Sequence, residues 1–394
     1  MPESAGAERE FVAFARTAMP PTGVRFLPPG DRVATLTFFR LELWDAAHGA
    51  AIGVVQLPRD SEVTDAWAIT PVGDHLLVGI EGGGLRRLDF AGCEVRRFQL
   101  DAAAAAYFSA EDPGLGTRVS RLDPPTDLSP AAPCEQGGQV GTPLNGTWTD
   151  LSEAYPPYAT ACALDFAPDA RHFVAAYGQA YALVWDVASG ALTGVLGGGP
   201  ASARPPRIYR AVWSPDGAHL LTADDQGGLR CWVAATGREL WRRRVAATAG
   251  AERPDYSSSG FCGGVGAIAF AAEPAGEHET GDPVLVYAAS GPRVRRWTRS
   301  GHELPPLVGH GTEHPMLGET EGAPAIADIR VSVDGRRVLT VGRDATLRVW
   351  DAARGREVWW ETPEPCCGDY GDLSPDGRRV AWAACPGARV YHVE

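Results

Sequence analysis

Short apolar stretches alternate with turn residues along the whole chain and recur at a nearly constant interval. Each recurrence begins at a turn of the Ser-Pro-Asp-Gly type, in which proline presets the backbone φ angle and glycine adopts a positive one. The turns, including looser copies, are Pro28-Pro29-Gly30, Thr70-Pro71-Val72-Gly73, Ala167-Pro168-Asp169, Ser214-Pro215-Asp216-Gly217, Ser332-Val333-Asp334-Gly335 and Ser374-Pro375-Asp376-Gly377. The chain is therefore predicted to consist of repeats of one structural unit.

A short apolar strand ends at a large side chain at a nearly fixed distance after each turn. The separation is 14 residues from Gly30 to Trp44 and 15 residues from Gly217 to Trp232. The strand-end residues are Trp44, Leu88, Trp185, Trp232, Trp297, Trp350 and Tyr391. A glycine four or five residues later, as at Gly49, predicts a hairpin and a further strand. Each unit thus has four short strands and almost no helical periodicity, which predicts an all-β fold built from propeller blades.

Arginine stands two residues before the strand end in five of these units. The five residues are Arg86, Arg230, Arg295, Arg348 and Arg389. Successive side chains of a strand point to opposite faces of the sheet. We therefore expect the arginine stems to lie along apolar surface, with their guanidinium groups reaching carboxylates or solvent.

The repeat resembles the WD40 repeat family, whose Trp-Asp signature stands here as Trp44-Asp45, Trp185-Asp186 and Trp350-Asp351. The resemblance covers nearly the whole chain and implies a seven-bladed β-propeller in a single domain of residues 1–394. The expected blades are residues 23–58, 63–100, 158–198, 208–246, 265–308, 325–363 and 368–394. The last unit has three strands, so the segment 9–16, which repeats the Arg-Glu-apolar pattern of the fourth strands, is expected to pair with it and to cover the free sheet edges.

The resemblance also implies a structural hydrogen-bond network in one blade. In it His310, which follows a glycine, would bind Asp344 and Thr340, and Trp350 would complete the set. Asp344 stands six residues before Trp350 and Thr340 stands ten before it, as the family pattern requires. Residues 311–324 separate His310 from the strand that follows. These four residues are expected to hold the blade together and to catalyse nothing.

The longest departure from the repeat is the segment 101–157, which carries eight acidic residues against Arg118 and Arg121. Shorter extensions, including 247–264, occupy the same type of connection, which lies on the top face of WD40-like propellers. Long loops on a rigid scaffold are usually functional or disordered. Aromatic residues in these segments, which suit contact with a protein partner, are Tyr107, Phe108, Trp148, Tyr155, Tyr256 and Phe261. The alternative role of the aromatic residues in 101–157 is to pin the insertion onto the ring, and the segment could equally be partly disordered.

Composition narrows the classes of partner. A formal net charge of −13 argues against nucleic acid, because binding a phosphate backbone needs clustered basic residues. No apolar run has the length of a membrane helix and the N-terminus is acidic, so we expect a cytoplasmic protein that does not contact membranes. All 36 basic residues are arginine and Asn145 is the one asparagine, a codon bias that indicates a GC-rich bacterial genome.

Candidate catalytic and metal-binding groups are sparse. His310, Glu313 and His314 come closest to a metal motif, but Gly311 and Pro315 favour a loop over the helix that this spacing needs. The eight cysteines form no C-x-x-C pair, and most are expected to be small buried apolar residues. No cofactor, metal or catalytic residue is assigned, and we expect that the protein is not an enzyme.

The predicted function is that of a protein-protein interaction scaffold or regulatory subunit. Its acidic, aromatic-bearing top face would bind a partner with a basic or mixed surface, and a monomeric ring within a bacterial signalling or defence complex is the specific version. Two alternatives stay open at the axial funnel of the ring. A propeller hydrolase would require clustered acids or histidines with shifted pKa values, and a sensor of a small ligand or metal would require a closed pocket.

Overall fold

The computed structural model describes residues 11–13, 21–37, 40–57, 63–80, 84–98, 161–177, 181–197, 208–245, 265–272, 284–298, 302–311, 313–314, 318–319, 325–363, 370–384 and 387–393. All regular structure in these ranges is β-strand. The strands are β1 (Phe11–Ala13), β2 (Gly23–Leu27), β3 (Arg32–Leu36), β4 (Arg40–Asp45), β5 (Ala51–Gln56), β6 (Val63–Ile69), β7 (His75–Ile80), β8 (Leu85–Asp89), β9 (Glu94–Phe98), β10 (Ala163–Phe166), β11 (His172–Ala176), β12 (Tyr181–Asp186), β13 (Leu192–Gly197), β14 (Ile208–Trp213), β15 (His219–Asp224), β16 (Gly228–Val233), β17 (Arg238–Arg244), β18 (Ile268–Ala272), β19 (Val284–Ser290), β20 (Arg293–Thr298), β21 (Glu303–Val308), β22 (Glu313–His314), β23 (Gly318–Glu319), β24 (Ile326–Val331), β25 (Arg337–Gly342), β26 (Leu347–Asp351), β27 (Glu357–Glu361), β28 (Gly371–Leu373), β29 (Arg379–Ala384) and β30 (Gly387–His392).

The strands form seven four-stranded sheets of the blade type, which confirms the predicted all-β propeller class. Blades 1 to 6 are β2–β5, β6–β9, β10–β13, β14–β17, β18–β21 and β24–β27, and blade 7 is β28–β30 with β1. The short strands β22 and β23 pair with each other as a hairpin. By contact density the chain divides into one unit of residues 1–56 and 269–394 and a second unit of residues 57–268.

The Ser-x-Asp-Gly turns join the first strand of a blade to the second through one repeated set of bonds. In blade 4 the Ser214 hydroxyl donates to Asp216 and accepts the N–H of His219 at 2.9 Å. Gly217, at a φ angle of 69°, reverses the chain there. The turns at Ser332 and Ser374 repeat both serine bonds, which explains why this sequence pattern recurs at the start of a second strand.

In the first unit, β1 completes blade 7, as the sequence predicted. Phe11 pairs with Tyr391 and Val12 pairs with Val390 in an antiparallel register. Blade 7 packs on blade 1 through an apolar cluster that includes Val33, Trp44 and Val390, with Val12 against its edge. A strand from the start of the chain thus covers an edge that β30 would otherwise expose.

In the second unit, aromatic side chains dominate the contact between blades 2 and 3. Phe98 of β9 and Phe173 of β11 meet edge to face with 4.8 Å between ring centroids. Trp185, Leu77 and Leu183 belong to the same buried cluster. Such contacts between blade faces bury the apolar positions of the repeat and explain their regular spacing.

The described cysteines differ from one another. Cys231 on β16 carries a fully buried thiol, as expected for a small apolar residue. Cys162 also carries a thiol, and burial raises its pKa to about 11. Cys93 instead forms a disulfide bond. Cys93 is thus an exception to the expectation that most of the cysteines are small buried apolar residues.

Candidate functional site

The structure brings His310, Thr340, Asp344 and Trp350 into one hydrogen-bonded set in blade 6. His310 Nε2 lies 2.7 Å from Thr340 Oγ1, and its Nδ1 lies 3.1 Å from Asp344 Oδ1. Trp350 Nε1 donates to Thr340 Oγ1 at 2.9 Å. The Thr340 hydroxyl accepts from the indole, and His310 Nδ1 donates to Asp344, because a carboxylate can only accept.

The carboxylate of Asp344 is the most strongly bonded group in the set. Oδ2 accepts the N–H of Gly311 at 2.7 Å, and Oδ1 accepts the hydroxyl of Thr346 at 2.7 Å. Burial alone would raise the pKa of Asp344. The hydrogen bond and charge of His310, together with the donors at Gly311 and Thr346, outweigh burial and hold the pKa at about 2.

Two glycines let the network close without empty space. A Cβ atom on Gly342 would lie 2.0 Å from Asp344 Oδ1 and 2.3 Å from His310 Nδ1. A Cβ atom on Gly309 would lie 2.9 Å from Trp350 Cη2. Because the polar atoms bind one another and their surroundings are filled, this arrangement can support the blade but has no room for a substrate.

Two other blades keep part of this network, which sequence reasoning missed. Trp44 Nε1 donates to Thr35 Oγ1 and Trp232 Nε1 donates to Thr222 Oγ1, each at 2.9 Å. The signal was present in the sequence as a threonine nine or ten residues before the strand-end tryptophan. Gln226 stands six residues before Trp232, where blade 6 has its aspartate, so the bond in blade 4 is not extended in the same way.

Three of the five arginines two residues before the strand end, Arg86, Arg295 and Arg348, reach a carboxylate of the fourth strand, as predicted. Arg295 Nη2 lies 2.6 Å from Glu303 Oε1, and Arg348 pairs with Glu357. Blade 1 reverses this charge, because Glu42 occupies the arginine position. Its Oε1 pairs with Arg40 at 2.8 Å, whereas its buried Oε2 has no hydrogen-bond partner among the described residues.

A second ionic group joins the first strands of blades 6, 7 and 1. Arg330 Nη2 lies 3.1 Å from Asp328 Oδ2, and the Arg25 guanidinium lies 4.0 Å from the same oxygen. Asp372 Oδ2 accepts the N–H of Phe26 at 2.7 Å. Burial raises the pKa of Asp372, although the charges of Arg25 and Arg330 act against this effect. These carboxylates come closest to the acid cluster that a hydrolase would need, and their contacts tie each blade to the next.

Arg296 is buried between blades 5 and 6. Its Nε donates to Pro305 O at 2.7 Å and its Nη1 donates to Ala352 O at 2.9 Å. Burial lowers the pKa of Arg296, and it raises the pKa of the neighbouring Tyr287 hydroxyl. A Cβ atom on Gly355 would lie 2.6 Å from Arg296 Nη2, so glycine provides the space for this guanidinium group.

The predicted partner-binding residues lie outside the described residues. They are Tyr107, Phe108, Trp148, Tyr155, Tyr256 and Phe261. Of the candidate metal motif, His310 belongs to the blade 6 network. The described ranges contain no group of three or more His, Cys, Asp or Glu residues placed to hold a metal ion. In the same ranges no helix has the length and apolar character needed to cross a membrane.

Part of the chain matches a known protein family. The family model described as WD domain, G-beta repeat matches residues 316–351, which include Thr340, Asp344 and Trp350. No curated protein is significantly similar in sequence to the chain. The matched repeat and the seven four-stranded blades together support a β-propeller of the WD40 type.

Proposed function

We propose that this protein is a non-enzymatic interaction scaffold or regulatory subunit. WD40 propellers commonly serve as scaffolds that bind protein partners, and the family is generally non-enzymatic. The blade architecture alone does not specify a function. The argument therefore depends on where this chain departs from a regular propeller.

The proposal rests mainly on the unequal length of the connections between strands. Turns within a blade are short, such as residues 225–227 between β15 and β16, with the exception of residues 273–283 between β18 and β19. Connections from a fourth strand to the next first strand include residues 99–162, 245–267 and 309–325. Because neighbouring strands of a blade are antiparallel, each long connection leaves from the same end of its blade as the turn between the second and third strands. Long connections on a rigid scaffold are where binding residues concentrate.

The chemistry of the longest connection indicates the type of partner. The segment 101–157 has a net charge of −6, from eight acidic residues and two arginines, and contains Trp148 and Tyr155. Aromatic side chains among acids suit a basic or mixed protein surface, because they give a large contact area at low entropic cost. We assign Tyr107, Phe108, Trp148 and Tyr155, with Tyr256 and Phe261 of the 245–267 connection, to this contact.

The setting proposed for this contact is a cytoplasmic bacterial signalling or defence complex, in which the propeller is a single subunit.

The buried groups with shifted pKa values in the described part of the chain support a non-catalytic role. Asp344, Asp372 and Arg296 have shifted pKa values, and each is bound to backbone or side-chain groups that hold blades together. Their perturbation follows from their structural contacts and needs no reaction to explain it.

Affinity purification from the native host tests the proposal. The intact chain is compared with a variant in which residues 101–157 are replaced by a short Gly-Ser linker, and with Trp148→Ala/Tyr155→Ala, which keeps every charge. We expect a stoichiometric partner with the intact chain, none with the linker variant, and weaker retention with the aromatic variant. Equal retention by all three chains, each shown to unfold at the same temperature, would refute the assignment. Turnover of a substrate by the purified chain would refute the non-enzymatic class.

A further inference from the structure

An arginine-lined cleft lies at one end of blade 4, on residues that the proposed partner contact does not use. Its volume is about 390 Å³, and Arg230, Arg242, Arg243 and Arg244 line it together with Asp224. This size falls in the range of small-ligand sites. Four arginines line one cleft of a chain whose net charge is −13.

Strand register explains why three of these arginines converge. Arg230 of β16 pairs with Arg242 of β17, and Gly228 pairs with Arg244. Side chains directly opposite each other, and those two residues apart, project from the same face of a sheet. Arg230, Arg242 and Arg244 therefore share one face, and the Asp224 carboxylate occupies the space beside Gly228.

Gly228 also fits against the floor of the cleft. A Cβ atom there would lie 2.2 Å from Asp224 Oδ2, so the position requires glycine. Asp224 is 6% exposed, and its Oδ1 accepts the N–H groups of Gln226 and Gly228 at 3.0 and 2.6 Å. Burial raises the pKa of this carboxyl, although the charge of Arg230 opposes the effect. Asp224 thus serves the turn beneath the cleft.

Two of the arginine side chains, Arg230 and Arg242, have defined contacts. Arg242 Nε and Nη2 donate to the two carboxylate oxygens of Glu239 at 2.5 and 2.9 Å. This pair uses two of the five N–H donors of the guanidinium group, and the side chain is still 62% exposed. The Arg230 guanidinium carbon lies 6.0 Å from the ring centroid of Trp232. Fixed guanidinium groups lose little entropy when they bind an anion.

We propose that this cleft binds a phosphate group, carried either by a phosphorylated side chain or by a free polyphosphate. Arg230 and Arg242 stand opposite each other on neighbouring strands, where like charges repel. Glu239 offsets part of this repulsion at Arg242, and a multiply charged anion would offset more of it. The planar N–H fork of arginine matches the oxygen geometry of phosphate. A carboxylate carries one charge, which a single guanidinium balances, so it fits the three-arginine face less well.

Calorimetric titration of the full chain tests the site with two probes. The probes are inorganic pyrophosphate and a short peptide whose one charged side chain is a phosphoserine. The comparison is the same peptide with glutamate in place of the phosphoserine. We expect Arg242→Gln and Arg244→Gln each to weaken binding of the phosphorylated probes at least about tenfold, the loss of a charged hydrogen bond. Arg238→Gln is the matched control, because this exposed arginine stands on the same strand outside the cleft. It should change the affinity by less than about twofold.

The outcomes separate the possible ligands. Tighter binding of the phosphoserine peptide identifies a protein source for the phosphate, and tighter binding of pyrophosphate identifies a free polyphosphate. Both results support the site if the cleft variants, and not Arg238→Gln, weaken binding. Absence of binding by both probes overturns the proposal. Equal loss in Arg238→Gln, or equal affinity for the glutamate peptide, overturns it as well, because the chain would then respond only to negative charge.

Discussion

Replacing Asp344 with asparagine should remove a pH-dependent part of the stability of blade 6. The pKa of Asp344 is held at about 2, against the usual 3.8, by His310 and the donors around it. At about 1.4 kcal/mol for each pKa unit, this difference corresponds to roughly 2 kcal/mol of unfolding free energy. The side chain is 10% exposed, so solvent screening reduces this figure only modestly.

The sign of the effect follows from the lowered pKa. The carboxylate is charged in both folded and unfolded chains above pH 3.8, so its full contribution is present there. As the pH falls toward 2, the unfolded chain takes up the proton first, and the contribution is lost. The stability difference between the natural chain and Asp344→Asn should therefore be about 2 kcal/mol at pH 7 and should shrink between pH 4 and pH 2.

Urea unfolding, followed by tryptophan fluorescence at a series of pH values, measures this difference. Other carboxylates titrate in both chains, and their contribution cancels when the two curves are subtracted. Asp31→Asn is the control, because the Asp31 side chain is 69% exposed, and it should change stability by less than about 0.5 kcal/mol at every pH. A gap for Asp344→Asn that stays constant from pH 7 to pH 2 would show that the lowered pKa is not what stabilises the network.

Three further predictions concern single sites and can be checked by thermal or urea unfolding. Gly342→Ala should lower the free energy of unfolding by at least about 2 kcal/mol, because the new Cβ would meet the Asp344 and His310 side chains. Gly53→Ala is the control and should change it by less than about 0.5 kcal/mol, because no atom lies within 4 Å of its Cβ. Equal effects of the two substitutions would contradict the packing argument. Arg296→Met should lower the free energy of unfolding by about 2–4 kcal/mol, because the carbonyls of Pro305 and Ala352 lose their hydrogen-bond donor. An unchanged free energy of unfolding would mean that water replaces the guanidinium group. Removal of residues 1–13 deletes β1 and exposes the edge of β30, so the shortened chain should aggregate at lower temperature in light scattering; unchanged aggregation would show that another segment protects this edge.

The blade 6 network shows why some side-chain contacts could be predicted without coordinates. Thr340, Asp344 and Trp350 lie on two adjacent strands and the turn between them, so a fixed spacing along the chain becomes a fixed geometry in space. The serine turns are local in the same way. The Trp44–Thr35 and Trp232–Thr222 bonds obeyed this spacing and were overlooked, because their blades lack the histidine and aspartate that made blade 6 recognisable.

Contacts between separate blades could not be predicted from spacing. The pairing of Asp328 with Arg330 and Arg25 depends on how the first strands of different blades face each other.

Within blade 4, the convergence of Arg230 and Arg242 was also not predicted, because it depends on the register of β16 against β17, which a bulge after Cys231 shifts. A register change by one residue would place one of these side chains on the opposite face.

The repeat length, the turn chemistry, the seven blades and the closing role of β1 could all be predicted from the order of residues along the chain. These features depend on interactions between residues near each other in the chain, or on a pattern repeated often enough to be recognised. The coordinates were needed to show which charges lie together, which glycines make room for them, and that Glu42 is buried where other blades carry arginine. Burial and charge pairing depend on distances through space, and residues far apart in the chain reach those distances only after the blades have packed.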